Sequence, residues 1–191
     1  MNFGRRVLMR MFGRPRGILG RLGGVVMARV NHAAAIRVVD LLEVRPGDRV
    51  LEVGFGPGVG IQRLASQASG GYVAGIDSSG EMVGQAAARN ADAIRQDRVD
   101  LRHGSVQALP FPDEDFHKAV AINSMQVWPD PGSGLREMRR VLKAGGNLAL
   151  GFTKYSGQPK GGIVETLAAA GFAKVRIVEW EDAFCAIASK L

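Results

Sequence analysis

The chain has 191 residues, 46% of them hydrophobic and 23% charged, which suits one folded domain with a real core and excludes a disordered chain. A single cysteine, Cys185, excludes an internal disulfide or a cysteine-based metal site, and His32, His103 and His117 are spaced too widely for a metal-ligand pattern. The net charge of +7 is concentrated in arginines 5, 6, 10, 14, 16, 21, 29 and 37, all ahead of the first carboxylate, Asp40, so the remainder is nearly neutral.

Residues 1–36 therefore read as a basic arm or cap and 37–191 as the core of a single domain. Such an arm suits a membrane surface, nucleic acid or an anionic substrate. Its arginines break up the apolar stretches, which fits a signal peptide poorly, and no run approaches the ~20 apolar residues of a membrane span. The first 17 residues, with Gly and Pro at 13, 15 and 17, predict a loosely helical arm. From about Ile18 to Leu42 the pattern is helical in two pieces, bent near Gly23-Gly24, with Val38, Val39, Leu41 and Leu42 on a buried face. "RPGD" (45–48) is a turn.

Strands and helices then alternate. "RVLEV" (49–53) predicts a strand, followed by a glycine loop and a helix to about Gln67. "GYVAGID" (71–77) predicts a second strand, and "SSGE" (78–81) a capping box with Ser78 at the N-cap, opening a helix to about Arg95. Further strands are predicted at 99–104, 118–123 and 147–152, with a helix over 134–146 stopped by glycine. A helix at 163–171 and strands at 174–180 and 183–189 complete the chain. Only Glu181-Asp182 separates the last two strands. A parallel crossover needs about a dozen residues or more, so this pair is an antiparallel hairpin. The fold class is α/β: a Rossmann-like, doubly wound sheet of seven strands, mostly parallel, with an antiparallel C-terminal hairpin strand.

In such a sheet the ligand crevice lies beyond the carboxyl ends of the strands. "VLEVGFGPGVG" (50–60) puts bare backbone there, free for a ligand to approach the N–H groups that open the next helix. Asp77 ends the second strand, where a carboxylate can accept ribose hydroxyls. Both features imply an adenosine-containing cofactor. The dinucleotide fingerprint G-x-G-x-x-G fails at Val59, which argues against a nicotinamide-dependent oxidoreductase.

"VLEVGFGPG" (50–58), "GID" (75–77), "GSVQALPFPDEDFH" (104–117), "INSMQVWPDP" (122–131) and "EMRRVLKAGG" (137–146) follow in an order and spacing that resembles class I S-adenosylmethionine (SAM)-dependent methyltransferases. The group it resembles is the small bacterial one with a methyltransferase type 11 domain. The resemblance implies a cytoplasmic enzyme that uses SAM and releases S-adenosylhomocysteine. It assigns Glu52 and the backbone of Gly54, Gly56 and Gly58 to the methionine moiety, and Asp77 to the ribose. Ser78 and Met82 would lie beside the adenosine, Ser105 and Val106 against adenine, and Asn123 near the reacting methyl. Ser105 stands where the family usually has Asp, and an uncharged contact to adenine is weaker.

Methyl transfer from a sulfonium needs a nucleophile held in line and water excluded. It needs a general base only for an acceptor that is protonated at working pH, so the catalytic residue is unknown. His32, Met125, Trp128 and Tyr155, with Lys154 beside it, are the acceptor-site candidates. After the fourth strand "NSMQ" (123–126) replaces the N/D-P-P-Y/F motif of exocyclic base methylation, which argues against nucleic acid. The expected acceptor is a small or lipid-like molecule, with peripheral membrane contact through the basic arm and a site covered by that arm, by loops or by a second subunit of a homodimer. A non-catalytic SAM-binding protein and a nucleic-acid methyltransferase using the arm are the alternatives.

Overall fold

The computed structural model describes residues 32–181 and 183–191; the arm before residue 32, with the bend expected near Gly23-Gly24, and Asp182 lie outside these. Helix α1 (32–41) turns Ala35, Val38 and Val39 into the core, where Leu42 joins them, while Leu41 is half-buried. The alternation continues with β1 (Arg49–Val53), α2 (Val59–Gln67), β2 (Tyr72–Asp77), α3 (Gly80–Arg89), α4 (Ala91–Arg95), β3 (Val99–His103) and β4 (Phe116–Ile122). It ends with α5 (Pro131–Val141), β5 (Leu142–Thr153), α6 (Ile163–Ala169), β6 (Ala173–Trp180) and β7 (Ala183–Ser189).

The seven strands form one sheet in the order β3-β2-β1-β4-β5-β7-β6. Strands β1 to β5 pair in parallel, while β7 runs antiparallel to both β5 and β6. The class expected for the sheet and the reversed final hairpin are therefore those of the structure. Each face carries its own core. Leu51 and Val53 of β1 join the cluster under α5 and α6, with Leu135, Met138 and Leu167. Val50 faces the other way, toward Val38 of α1 and Ile61 and Leu64 of α2. Alternate residues of a strand face opposite sides, so Glu52 shares the α1–α2 face with Val50.

Four boundaries differ from expectation. The N-cap of α3 is Ser79, not Ser78: its Oγ accepts the Met82 N–H at 3.4 Å. Asp77 Oδ1 accepts the Ser79 N–H at 2.9 Å, an Asx-type turn that uses one more residue before the helix starts. The helix expected to reach Arg95 breaks at Asn90 (φ −109°, ψ 19°), dividing α3 from α4. Helix α5 spans Pro131–Val141 rather than 134–146, with Asp130 as its N-cap. At its end Glu114 and Asp115 donate their N–H groups to the Arg140 and Val141 carbonyls, and Leu142 pairs with Phe116 as strand. Finally, β4 begins at Phe116 and stops at Ile122, leaving Asn123 in the left-handed region at φ 48°.

Candidate active site

The strand order reverses between β1 and β4, and the crevice at such a switch point lies beyond the strands' carboxyl ends. There the glycine loop runs from β1 into α2, and each glycine answers a different demand. Gly54 (φ 71°) donates to the Ile76 carbonyl at 2.8 Å, and a Cβ on it would lie 2.0 Å from Ser124 Oγ. Gly58 (φ 82°) is the N-cap of α2 and touches α3, where a Cβ would lie 2.7 Å from Ala86 Cβ. A Cβ on Gly60 would lie 2.2 Å from Glu52 Oε1, so this glycine makes room for a carboxylate. Gly56 is different. Its φ is 52°, yet nothing lies within 4 Å of a Cβ built on it, and its bare face opens on the crevice.

Two acids stand beside this loop. Glu52 is 2% exposed and lines the crevice with Gly54, Gly56 and Gly60. Its Oε2 is buried with no hydrogen-bond partner. Burial, and secondarily the Asp77 charge, push its carboxyl up to about 8, the expected response of an acid held in low dielectric beside another. Asp77 ends β2 and accepts two backbone N–H groups, Gly56 on Oδ2 and Ser79 on Oδ1, each at 2.9 Å. Burial raises this carboxyl too, against the opposing pull of those two bonds. Each of its oxygens retains a lone pair for a further donor.

The other expected residues are spread around the same edge. Met82 and Val106 are buried, whereas Ser78 and Ser105 are exposed. The Ser78 carbonyl lies 3.1 Å from His103 Nε2, and Ser105 Oγ accepts the Gln107 N–H. Asn123 lines the crevice, but its amide is closed on β5: Nδ2 donates to Thr153 Oγ1 at 3.0 Å and Oδ1 accepts the Thr153 N–H at 2.8 Å. Met125 belongs to the core, and Trp128 packs against that core while its Nε1 donates to Ser124 Oγ. Tyr155 is 71% exposed, with Lys154 Nζ 5.5 Å from its ring centre. His32 is exposed and lies three residues before Ala35, which lines the crevice, so the two share one face of α1.

His117 serves the fold: its Nδ1 accepts the Arg49 N–H at 2.9 Å. Cys185 is fully buried. The sequence reading overlooked Ala35 and the pair Arg89-Asn90, which contacts the loop through the Pro57 and Gly58 carbonyls. An asparagine closing an alanine-rich helix was the available signal.

A doubly wound sheet, a bare glycine at the switch point and acids at the ends of β1 and β2 define an adenosine-cofactor protein of the Rossmann-like class. The pieces suit SAM, whose ammonium would meet the partnerless Glu52 oxygen and whose ribose hydroxyls would meet Asp77. Residues 50–146 match the methyltransferase domain family, and the chain belongs to it as a class I SAM-dependent methyltransferase. It is 32% identical over 129 residues to the uncharacterized methyltransferase YdaC of Bacillus subtilis (strain 168), across 68% of this chain and 69% of that one. It is 37% identical over 115 residues to the 27-O-demethylrifamycin SV methyltransferase of Amycolatopsis mediterranei (strain S699), across 60% of this chain and 42% of that relative. The chain thus spans less than half the length of the latter. The crystal structure of a SAM-dependent methyltransferase from Aquifex aeolicus shares the fold, with a TM-score of 0.72 at 24% identity over 82% of this chain and 89% of that one. Among the described residues no helix is long and apolar enough to cross a membrane.

Proposed function

We propose that this methyltransferase modifies a small or lipid-like acceptor that enters between the carboxyl ends of β4 and β5. The observation that carries the cofactor half of this reading is the buried, partnerless Glu52 oxygen on a crevice that Glu52 lines together with Gly56, where a Cβ on Gly56 would meet nothing within 4 Å. SAM supplies a methyl group on a positively charged sulfur, with a neutral thioether as leaving group. Glu52 takes the ammonium of the amino-acid moiety. The N–H groups of the first turn of α2, which has no side-chain cap, take its carboxylate. Asp77 orients the ribose, and Met82 and Val106 wall the adenine beside Ser105.

Asn123 acts on the acceptor side through shape. Its amide locks the ends of β4 and β5 together, which holds the mouth of the site to one width. A small acceptor is favoured because the connections after β4 (123–130) and β5 (154–162) hold no inserted domain and the β6–β7 connection is two residues. The relative named 27-O-demethylrifamycin SV methyltransferase supports the same reading. Val127, 47% exposed, and Tyr155 stand on the loops after β4 and β5, the edge to which Ala35 brings the chain from the basic arm. That combination favours an acceptor held at an anionic lipid surface.

Thermal unfolding of the whole chain with SAM, S-adenosylhomocysteine and NADH tests the cofactor. A ligand at a hundred times its dissociation constant adds about 2.7 kcal/mol, a rise of roughly 5–10 °C in Tm for a domain this size, and only the first two should produce it. Methyl incorporation from labelled SAM into hydroxyl and amine acceptors, with and without phosphatidylglycerol vesicles, then tests the acceptor. Transfer to RNA or DNA in preference to every small acceptor would overturn this reading.

A further inference from the structure

The glycine loop is cleared in front and gripped from behind. Asn90, 4% exposed, sends its Nδ2 to the Gly58 carbonyl at 3.2 Å and to the Ala86 carbonyl at 2.9 Å. Its neighbour Arg89 donates from Nε to the Pro57 carbonyl at 2.9 Å. Two successive loop carbonyls are thus held by two successive residues at the end of α3. The contact is close: a Cβ on Gly58 would lie 2.7 Å from Asn90 Nδ2.

In a trans peptide the C=O and the following N–H point in opposite directions. The Gly58 carbonyl also accepts the Gln62 N–H at 3.1 Å as the first backbone bond of α2; held from both sides, it turns the Val59 N–H of the same peptide the other way, and Val59 lines the crevice. Val59 is the first residue of α2, whose N-cap Gly58 makes no side-chain capping bond, so this N–H has no partner within the helix. Gly56 cannot do the same work, because its N–H is engaged by Asp77 Oδ2. We propose that Asn90, assisted by Arg89, is a positioning residue that aims the Val59 N–H at the carboxylate of the cofactor's amino-acid moiety.

The inference rests on the reading of the crevice as a SAM site, and the test separates the two. Titration calorimetry on the full chain would use S-adenosylhomocysteine and 5′-methylthioadenosine, which share adenosine and thioether but differ in the amino-acid moiety. Asn90→Leu keeps the branched shape, with bulkier methyl groups, and removes both N–H donors. Because Asn90 is buried, Arg89→Met, an exposed position, serves as the second variant. Asn90→Leu should weaken S-adenosylhomocysteine about tenfold and methylthioadenosine less than twofold, with Arg89→Met shifting the same ratio about threefold. A general loosening of the fold would weaken both ligands alike. Equal losses for both, or an unchanged S-adenosylhomocysteine affinity in either folded variant, would overturn the positioning role. If the unaltered chain bound neither ligand, the SAM-site reading would fail and take this inference with it.

Discussion

The two sides of the boundary between β1 and β4 are made of different material. On the β1–β2 side the chemistry resides in backbone and in two buried acids, Glu52 and Asp77, set against glycines whose positive φ or lack of Cβ leaves little freedom to vary. On the β4–β5 side the Asn123 amide is closed on Thr153, Met125 is core, and what faces outward is Val127 and Tyr155 on short loops. The glycines of the first arrangement tolerate almost no substitution without breaking geometry, whereas the outward side chains of the second, Val127 and Tyr155, can change at almost no cost to the fold. One scaffold can therefore keep a cofactor while its acceptor changes.

Substitutions on either side of the boundary sharpen this contrast. The largest effect should come from Gly54→Ala, which combines φ 71° with a Cβ 2.0 Å from Ser124 Oγ. A loss of about 3–5 kcal/mol is expected in urea unfolding. Glu52→Gln should split function from stability. Below the ordinary value of 4.5 the carboxyl is protonated whether folded or unfolded, and Gln changes little. Between 4.5 and about 8 the unfolded chain ionises while the folded one keeps its proton, so the unaltered protein loses stability as pH rises. The variant should therefore be more stable by about 2–4 kcal/mol at pH 8 and equal near pH 4.5. Its S-adenosylhomocysteine affinity should fall at least tenfold, and an affinity that does not change would separate Glu52 from the cofactor.

Gly56→Ala meets no neighbour but must hold φ 52°, a cost of about 1–2 kcal/mol. Its loss of cofactor affinity should exceed what that destabilisation explains, since the added methyl group occupies the crevice face. Tyr155→Ala should sit at the other extreme, within about 0.5 kcal/mol in stability and unchanged in cofactor affinity, with any effect confined to kcat/KM for the acceptor. A Tyr155 variant that lost cofactor binding would break the contrast outright.

Legibility in the sequence follows the same division. The parallel alternation, the reversed hairpin, the glycine loop and Asp77 could be read because hydrophobic period, turn length and bare backbone are local properties, while Glu52 came from the family resemblance. What escaped was set by specific hydrogen-bond partners, near and distant, that hydrophobic period does not encode. Helix α5 ends at Val141 because Glu114 and Asp115 reach its last carbonyls. The cap of α3 moved to Ser79 because Asp77 turned back on the chain. Asn123 could be placed at the crevice from its position after β4, but the engagement of its amide with Thr153 depends on β5 being alongside. The acceptor is hardest to read, since exposed side chains such as Tyr155 obey no pattern that the fold requires.

Strand β7 sits between β5 and β6, although both are made before it. During translation β5 must wait with an open edge, Gly151 lacking its partner Cys185 and Leu148 lacking Ala188, until 183–189 has left the ribosome. Over that interval β6 has no strand to join, because its one neighbour is also β7. The β5–β6 end of the sheet is therefore completed in a single late step. A nascent chain arrested before residue 183 should remain open to proteolysis through 173–180 even when β1 to β5 have assembled.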